Sequence, residues 1–423
     1  MSERNIVAAV DIGTNTVICL VGSNGERGKI DILGHSIVAS SGVRRGVVFN
    51  IEEVVVAVKN AVEKATQHID VTVKKLYVNV AGQNLRTIEK RMSKSIGEGK
   101  IISNADVREL FRAAKETNPG NGEKVYHVIN QSYSVDGETG IHNPIGVPGA
   151  ELVAEYRLVV GPENYEQLLR ACIEKAGFQL VRCIVNPIAA AEAVVSADEK
   201  EAGVVVVDLG AGTTSISIYY DSVLRHLGMI PFGGNVVTRD IREGCSIVLR
   251  QAESLKVQYG AAMGENISDN MVVTIPGKNG WEPKEISFKS LAYIIQARME
   301  EIIESAYYQI EKSGFAEHLG AGIVITGGGA KLDGLANLVK FKTAMDVRVG
   351  LPANGIIDEK DKPVFTPQYA TAFGLLKKAI NDETANNDEV IVKKPRRNLF
   401  KQQSETIMQR LTLFFNDEQD SEL

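Results

Sequence analysis

The run Val204-Val-Val-Val-Asp208-Leu-Gly210-Ala211-Gly212-Thr213-Thr214-Ser-Ile216-Ser-Ile218-Tyr-Tyr220 decides the fold. Its β-branched start predicts a buried strand. The chain then turns through Asp208, Gly210 and Gly212 and resumes as a second strand with Ile216 and Ile218 on one face. Glycines let backbone N–H groups approach an anion closely, and the hydroxyls of Thr213 and Thr214 add donors. Asp208 stands where a carboxylate could hold a divalent cation through water. An ordinary hairpin with a polar turn explains the same residues, so a phosphate loop needs a second sign.

That sign lies near the N-terminus. A strand from about Ile6 to Val10 leads into Asp11-Ile-Gly13-Thr14-Asn15-Thr16, and the apolar Val17 to Val21 follows. Asp11 and Asp208 are 197 positions apart (208 less 11), far too long a period for a solenoid repeat. A duplicated domain is the natural reading. After Asp11 come a strand near 30–38, a helix near 51–68 and a strand near 76–80. After Asp208 come a strand near 223–230, a long helical region and a strand near 323–325 that ends in Thr326-Gly327-Gly328-Gly329-Ala. The first helix shows its period in Ile51, Val54, Val55, Val58, Val62 and Ala65. A P-loop would open a helix and carry Gly-Lys-Ser/Thr; both turns here open a strand.

Composition limits the remaining classes. The chain has 423 residues, enough for two or more cores. Its 47 basic and 53 acidic residues give a net charge of −6, which leaves no global nucleic-acid footprint. Cys19, Cys172, Cys183 and Cys245 lack metal-binding spacing and read as reduced core residues. Asp11 interrupts the first apolar run, which is therefore neither a signal peptide nor a membrane span.

The two Asp-x-Gly turns with Thr326-Gly-Gly-Gly-Ala resemble the phosphate-1, phosphate-2 and adenosine motifs of the actin, heat-shock chaperone and sugar-kinase superfamily. The resemblance runs from residue 1 to about 380, apart from an insertion between about Gln83 and Gly161. This insertion contains a helix near Asp106 to Lys115. It also carries Tyr126-His-Val-Ile-Asn-Gln-Ser-Tyr-Ser-Val-Asp-Gly and Gly140-Ile-His-Asn-Pro-Ile-Gly-Val-Pro-Gly-Ala-Glu-Leu. From its residues alone it is a three-stranded unit with turns at Gly and Pro. It is similar to the 1C subdomain of the bacterial FtsA family.

That resemblance implies an α/β, duplicated RNase H-like actin-type fold with a nucleotide cleft between two lobes. Subdomain 1A would take residues 1–82 and 162–200, 1C residues 83–161, 2A residues 201–230 and 305–380, and 2B residues 231–304. It implies ATP with Mg²⁺, Asp11 and Asp208 near the metal, and backbone at Gly13, Thr14, Asn15 and Thr16 and at Gly210 to Thr214 on the phosphates. Gly327, Gly328 and Gly329 would close over the nucleoside. Glu253 and Lys256, three apart on a predicted helix, share a face; their spacing alone reads as a surface ion pair, whereas the resemblance implies contact with ribose and base. Asn186 and Pro187 start a connecting helix, with Asn as N-cap and Pro at the first position. Relatives that hydrolyse ATP well carry Glu or Gln at that place to orient water. Asn186 is shorter and is no general base, so slow ATPase activity at best is expected.

Residues beyond Ile380 change character. Residues 381–403 read as a flexible linker, polar and acidic at first and ending in Lys393, Lys394, Arg396, Arg397 and Lys401. In 404–416, Ile407, Met408, Leu411, Phe414 and Phe415 fall on one helical face, and 417–423 form an acidic tail. A basic run beside an apolar face predicts an interfacial membrane anchor on anionic lipid; a helix packed back on the body is the simpler alternative. Full burial of these apolar side chains would give about 1.5–3 kcal/mol each, and each nearby basic residue about 1 kcal/mol.

The resemblance to the FtsA family implies the function of an actin-like cell-division protein that polymerises and tethers the FtsZ ring to the cytoplasmic face of the cell membrane at the septum. The FtsZ C-terminal peptide would dock on 231–304, and later membrane-embedded division proteins would follow. A pilus-assembly protein of the same superfamily would share the insertion but not require the anchor. A sugar kinase would need a catalytic Asp and a substrate pocket in the cleft, neither of which can be assigned from the sequence, and a chaperone a substrate-binding domain after the ATPase unit, where about 40 residues remain.

Overall fold

The computed structural model describes residues 6–25, 29–276, 282–352 and 364–392, with side chains to Asp382. The basic run at 393–401, the amphipathic stretch 404–416 and the acidic tail lie outside the described residues.

Strands β1 (Ile6–Ile12), β2 (Thr16–Asn24) and β3 (Ile30–Ala39) form an antiparallel meander. A two-residue ladder of β4 (Val43–Arg44) and β5 (Val47–Val48) leads to α1 (Ile51–Thr66). Asn50 caps α1, its side chain accepting from the N–H groups of Glu52 and Glu53. Val54, Val55, Val58 and Val62 lie on its buried face, each contributing about 1.5–3 kcal/mol by leaving water. β6 (Lys75–Val80) returns parallel to β1.

The insertion follows: β7 (Arg86–Ser95), α2 (Asn104–Lys115), β8 (Glu123–Val135), β9 (Glu138–Ile141) and β10 (Glu151–Pro162). Its sheet has four strands in the order β7-β10-β8-β9 rather than the expected three. The extra strand arises at Asp136-Gly137: both residues have positive φ, so the chain folds back on β8 as a tight hairpin instead of ending in a loop. The insertion has a core of its own, including Ile102, Leu110, Leu152, Tyr156 and Leu158. The chain returns through α3 (Asn164–Lys175) to β11 (Gln179–Val185), parallel to β6.

Helices α4 (Asn186–Val194) and α5 (Ala197–Ala202) lead to the second half, where β12 (Val204–Leu209), β13 (Thr214–Tyr220) and β14 (Val223–Ile230) repeat the meander. Then come α6 (Gly234–Gly244), α7 (Leu249–Tyr259), the hairpin of β15 (Val272–Ile275) and β16 (Lys284–Ser287), and α8 (Phe288–Lys312). β17 (Ile323–Thr326), α9 (Leu335–Thr343), β18 (Val347–Val349) and α10 (Ala370–Val392) complete the described chain.

The two large sheets have one topology. Their orders are β3-β2-β1-β6-β11 and β14-β13-β12-β17-β18, each with a meander on one side and two parallel strands on the other. The register repeats as well: Val10 faces Cys19 and Val207 faces Ile216, each residue displaced by the same 197 positions. The duplication read from two aspartates is therefore a duplication of strand pairing.

Between the sheets, α4 and α10 cross almost backbone to backbone. A Cβ on Gly374 would lie 1.7 Å from the Ala189 carbonyl oxygen, so only glycine fits there. The compact unit ends at Ile380. The backbone of α10 nevertheless stays helical to Val392, past the point where composition predicts a linker; the polar residues after Ile380 extend a helix already nucleated by the packed first turns.

Candidate functional site

The two Asp-x-Gly turns are built alike. In the first, the Gly13 N–H donates to the Thr16 carbonyl at 2.9 Å; in the second, Gly210 N–H donates to Thr213 at 3.0 Å. Each turn projects its aspartate at the end of the first strand and leaves neighbouring backbone groups facing the gap between the lobes. The turns meet closely, since a Cβ on Gly212 would fall 2.4 Å from the Thr14 hydroxyl oxygen. Asn15 and Asn235 clasp across the gap, each carboxamide donating to the other at 2.8 and 2.9 Å.

A cavity of about 460 Å³ opens behind this contact. Asp11, Gly13–Thr16, Asn186, Asp208, Gly210–Thr213, Glu253, Lys256 and Gly327–Gly329 all line it. Thr214 does not. It is fully buried and its hydroxyl donates to the Phe232 carbonyl, because the second threonine is already the first residue of β13 and points into the sheet.

Gly327 has φ +82°, and a Cβ on it would lie 2.2 Å from Asp208 Oδ1, so the glycine is required by its neighbour. Gly328 differs: a Cβ there would meet no atom within 4 Å. It faces open cavity.

Burial and the neighbouring Asp208 carboxylate push the Asp11 carboxyl up to about 8. Burial likewise pushes Asp208 up to about 6, against hydrogen bonds from Asn186 and Thr371. Neither aspartate has an ion pair among the described residues. Two crowded carboxylates without a protein cation fit a divalent ion. No cluster of three metal-ligating side chains occurs among the described residues, so such an ion would keep water or ligand oxygens, as Mg²⁺ does.

Asn186 is not the N-cap expected of it. It is the first residue of α4, and Val185 occupies the cap position without a side-chain bond. Its carboxamide is used in the cleft instead: Nδ2 donates to Asp208 Oδ2 at 2.6 Å, and Oδ1 accepts from Asn79 Nδ2 at 3.1 Å. Asn79 in turn accepts from the Ile12 N–H at 2.7 Å. A relay thus joins the first turn to the second aspartate.

Glu253 and Lys256 satisfy both readings of their spacing. They pair at 2.8 Å, and Lys256 also donates to the Thr238 hydroxyl at 2.8 Å and the Gly234 carbonyl at 3.1 Å, while both residues line the cavity. Sequence reasoning missed Asn79, Gly234, Lys331, Gln368 and Thr371, polar or glycine positions that also line the cavity. Asn79 had a signal: it is the one amide in the buried strand Leu76-Tyr-Val-Asn-Val80.

Comparison with known proteins places these features in a family. Residues 205–374 match the model "Cell division protein FtsA", and residues 82–160 match "SHS2 domain inserted in FTSA". Cell division protein FtsA of Neisseria meningitidis is 33% identical over 377 residues, covering 88% of this chain and 90% of the relative. The chain belongs to the FtsA family of cell-division proteins. The FtsA of Escherichia coli K12 is 32% identical over 384 residues, covering 89% and 90% of the two chains. FtsA-family membership accounts for the insertion: β7 to β10 coincide with the SHS2 match.

Solved structures show the same actin-like fold at low identity. The PilM-PilN type IV pilus biogenesis complex gives a TM-score of 0.61 at 15% identity, covering 88% of this chain and 98% of that one. MreB5 of Spiroplasma citri bound to ADP gives 0.55 at 14%, covering 91% and 98%. Against the pilus-assembly alternative, the FtsA relatives are twice as similar in sequence and the family models are FtsA's own.

Proposed function

We propose that the chain binds ATP with Mg²⁺ in the inter-lobe cavity, self-associates into actin-like filaments, and tethers the FtsZ ring to the cytoplasmic face of the cell membrane at the septum. The convergence of Asp11, Asp208 and the Gly327–Gly329 turn on one cavity carries the nucleotide reading. The repeated turns supply backbone donors for phosphates, and Asp11 and Asp208 would hold Mg²⁺ through water. A related fold, MreB5, carries ADP in its solved structure, which supports the same use here.

Hydrolysis is slow in this reading. Asn186 is a neutral amide whose Nδ2 donates to Asp208 and whose Oδ1 accepts from Asn79, so it brings no carboxylate that could take a proton from an attacking water. The division into 1A (1–82, 162–200), 1C (83–161), 2A (201–230, 305–380) and 2B (231–304) remains part of the proposal. The repeated sheets and the separate core of the insertion support it. The FtsZ C-terminal peptide is assigned to 231–304, and later division proteins to the same assembly.

No described helix is long and apolar enough to cross a membrane. The membrane role rests on the sequence pattern of Lys393 to Phe415. Two measurements test the proposal. Calorimetric titration of Mg²⁺-ATP into the full chain should show saturable binding that EDTA weakens; no heat with a folded protein would overturn the nucleotide reading. Pelleting with anionic liposomes should fall to background when residues 393–423 are deleted, and unchanged pelleting would remove the anchor.

A further inference from the structure

The two Asp-x-Gly turns are tied to each other by side chains as well as by proximity. Asn15 belongs to the first turn, where its carbonyl accepts from the Ser40 N–H at 2.9 Å. Asn235 stands near the start of α6 and is anchored to the second turn, its N–H donating to the Ala211 carbonyl at 2.8 Å. Their two carboxamide bonds, of 2.8 and 2.9 Å, therefore bridge turn to turn between residues 220 positions apart. Thr14, Asn15, Ala211 and Gly212 line both the inner cavity and a larger outer cleft of about 1430 Å³. They form the partition between the two spaces. Asn235 lines the outer cleft but not the inner cavity.

This contact is a place where the lobes can part. At the crossing of α4 and α10 they cannot, since a Cβ on Gly374 would lie 1.7 Å from the Ala189 carbonyl oxygen. Asn15 and Asn235 are only half-buried, so water can take over each amide bond once it breaks, which makes the tie weak enough to be reversible.

We propose that Asn235 is a positioning residue for the nucleotide site, acting through Asn15 to hold the two phosphate turns together and so setting how fast a nucleoside triphosphate enters and leaves. The inference rests on the reading that the inner cavity binds nucleotide. A polyphosphate cradled by backbone donors of both turns is loaded or released only when the turns separate. Because Asn235 does not reach the inner cavity, its bonds favour the closed arrangement equally in the free and the loaded protein. Such a contact changes the rates in both directions and leaves the affinity alone.

The test joins two measurements on the full chain. The first is stopped-flow mixing with a fluorescent ATP analogue and Mg²⁺. In Asn235→Ala, association and dissociation should both quicken at least fivefold while Kd changes less than twofold. Asn15→Ala breaks the same contact from the other side and stands in if Asn235→Ala fails to fold. The double variant should exchange no faster than either single one, because one interaction is lost in all three. The second measurement needs no nucleotide: electron-spin distances between labels at Arg45→Cys and Arg250→Cys, exposed positions on the two sides of the outer cleft. The four native cysteines are buried, which keeps labelling selective. The distance distribution should broaden when Asn235→Ala is added. Absence of binding to the parent chain would overturn the nucleotide reading and this proposal with it. Binding with unchanged rates in Asn235→Ala, a loss of affinity through dissociation alone, or an unchanged distance distribution would each overturn the clasp and leave the nucleotide reading standing.

Discussion

Asn186 Nδ2 donates to Asp208 Oδ2 at 2.6 Å, across the break between β11–α4 and β12. The bond fixes a buried carboxylate and engages the residue proposed for the water-positioning place. Replacing Asn186 with Ala removes the donor and leaves Asp208 with one partner fewer. A loss of about 1–3 kcal/mol in urea denaturation is expected. Asn186→Glu should instead raise Mg²⁺-dependent ATP turnover severalfold, since it restores a water-orienting carboxylate once a cation neutralises the cluster. No rise at saturating Mg²⁺-ATP would count against this place for position 186.

The glycines of residues 327 to 329 separate folding from binding. Gly328→Ala adds a methyl group to open cavity and should leave the melting temperature within about a degree, an effect of a few tenths of a kcal/mol. If nucleotide lies against it, affinity should fall at least fivefold in the same calorimetric titration. Gly327→Ala drives a Cβ towards Asp208 Oδ1 at positive φ and should cost about 1–3 kcal/mol of stability before any ligand is added.

The aspartate pair makes a pH prediction for the ligand-free protein. Asp11 keeps its proton to about pH 8 in the fold, whereas an unfolded aspartate loses it near 4. The folded state therefore holds more protons between these values, and Asp11 alone lowers stability as pH rises through that window by at most about 1.4 kcal/mol per pH unit, with Asp208 adding to the fall up to about pH 6. Asp11→Asn should flatten the slope and raise ligand-free stability at pH 7.5 or so. It should also abolish any thermal stabilisation by Mg²⁺ with nucleotide. Retention of that stabilisation would remove Asp11 from the metal site.

His127 sets an opposite slope at the seam between the insertion and the first lobe. Its Nε2 accepts from the Val185 N–H at 3.1 Å, which requires a neutral ring. Burial, with Arg182 and Lys378 nearby, pushes its imidazole down to about 3. The unfolded histidine takes up a proton near 6.5, so this contribution is complete above that pH and is lost as pH falls towards 3. His127→Gln keeps an acceptor without a titrating group. A chemical-denaturation series from pH 7 to pH 4.5 should show a shallower decline for the variant.

Much of this molecule could be read without coordinates. The two Asp-x-Gly turns, their shared offset and the order of apolar runs determined a duplicated α/β fold, because strand periodicity and glycine turns are local properties. The Gly-Gly-Gly turn was legible for the same reason; the insertion was recognised by its resemblance, and its residues alone suggested three strands where there are four. Local reading failed where one side chain had several possible uses. Asn186 before Pro187 is a good helix cap by type, yet the fold aims it at Asp208 and Asn79. Thr214 has the same hydroxyl as Thr213, but the strand begins between them and turns it inward. Asn79, 67 positions from Ile12 and 107 from Asn186, belongs to the site only through three-dimensional closure. Sequence determined the main strands and helices and their order, though not β9 or the extension of α10 to Val392. Tertiary packing decided which polar groups they spend on one another and which they leave facing solvent, because desolvation and hydrogen-bond pairing depend on neighbours that chain distance does not report.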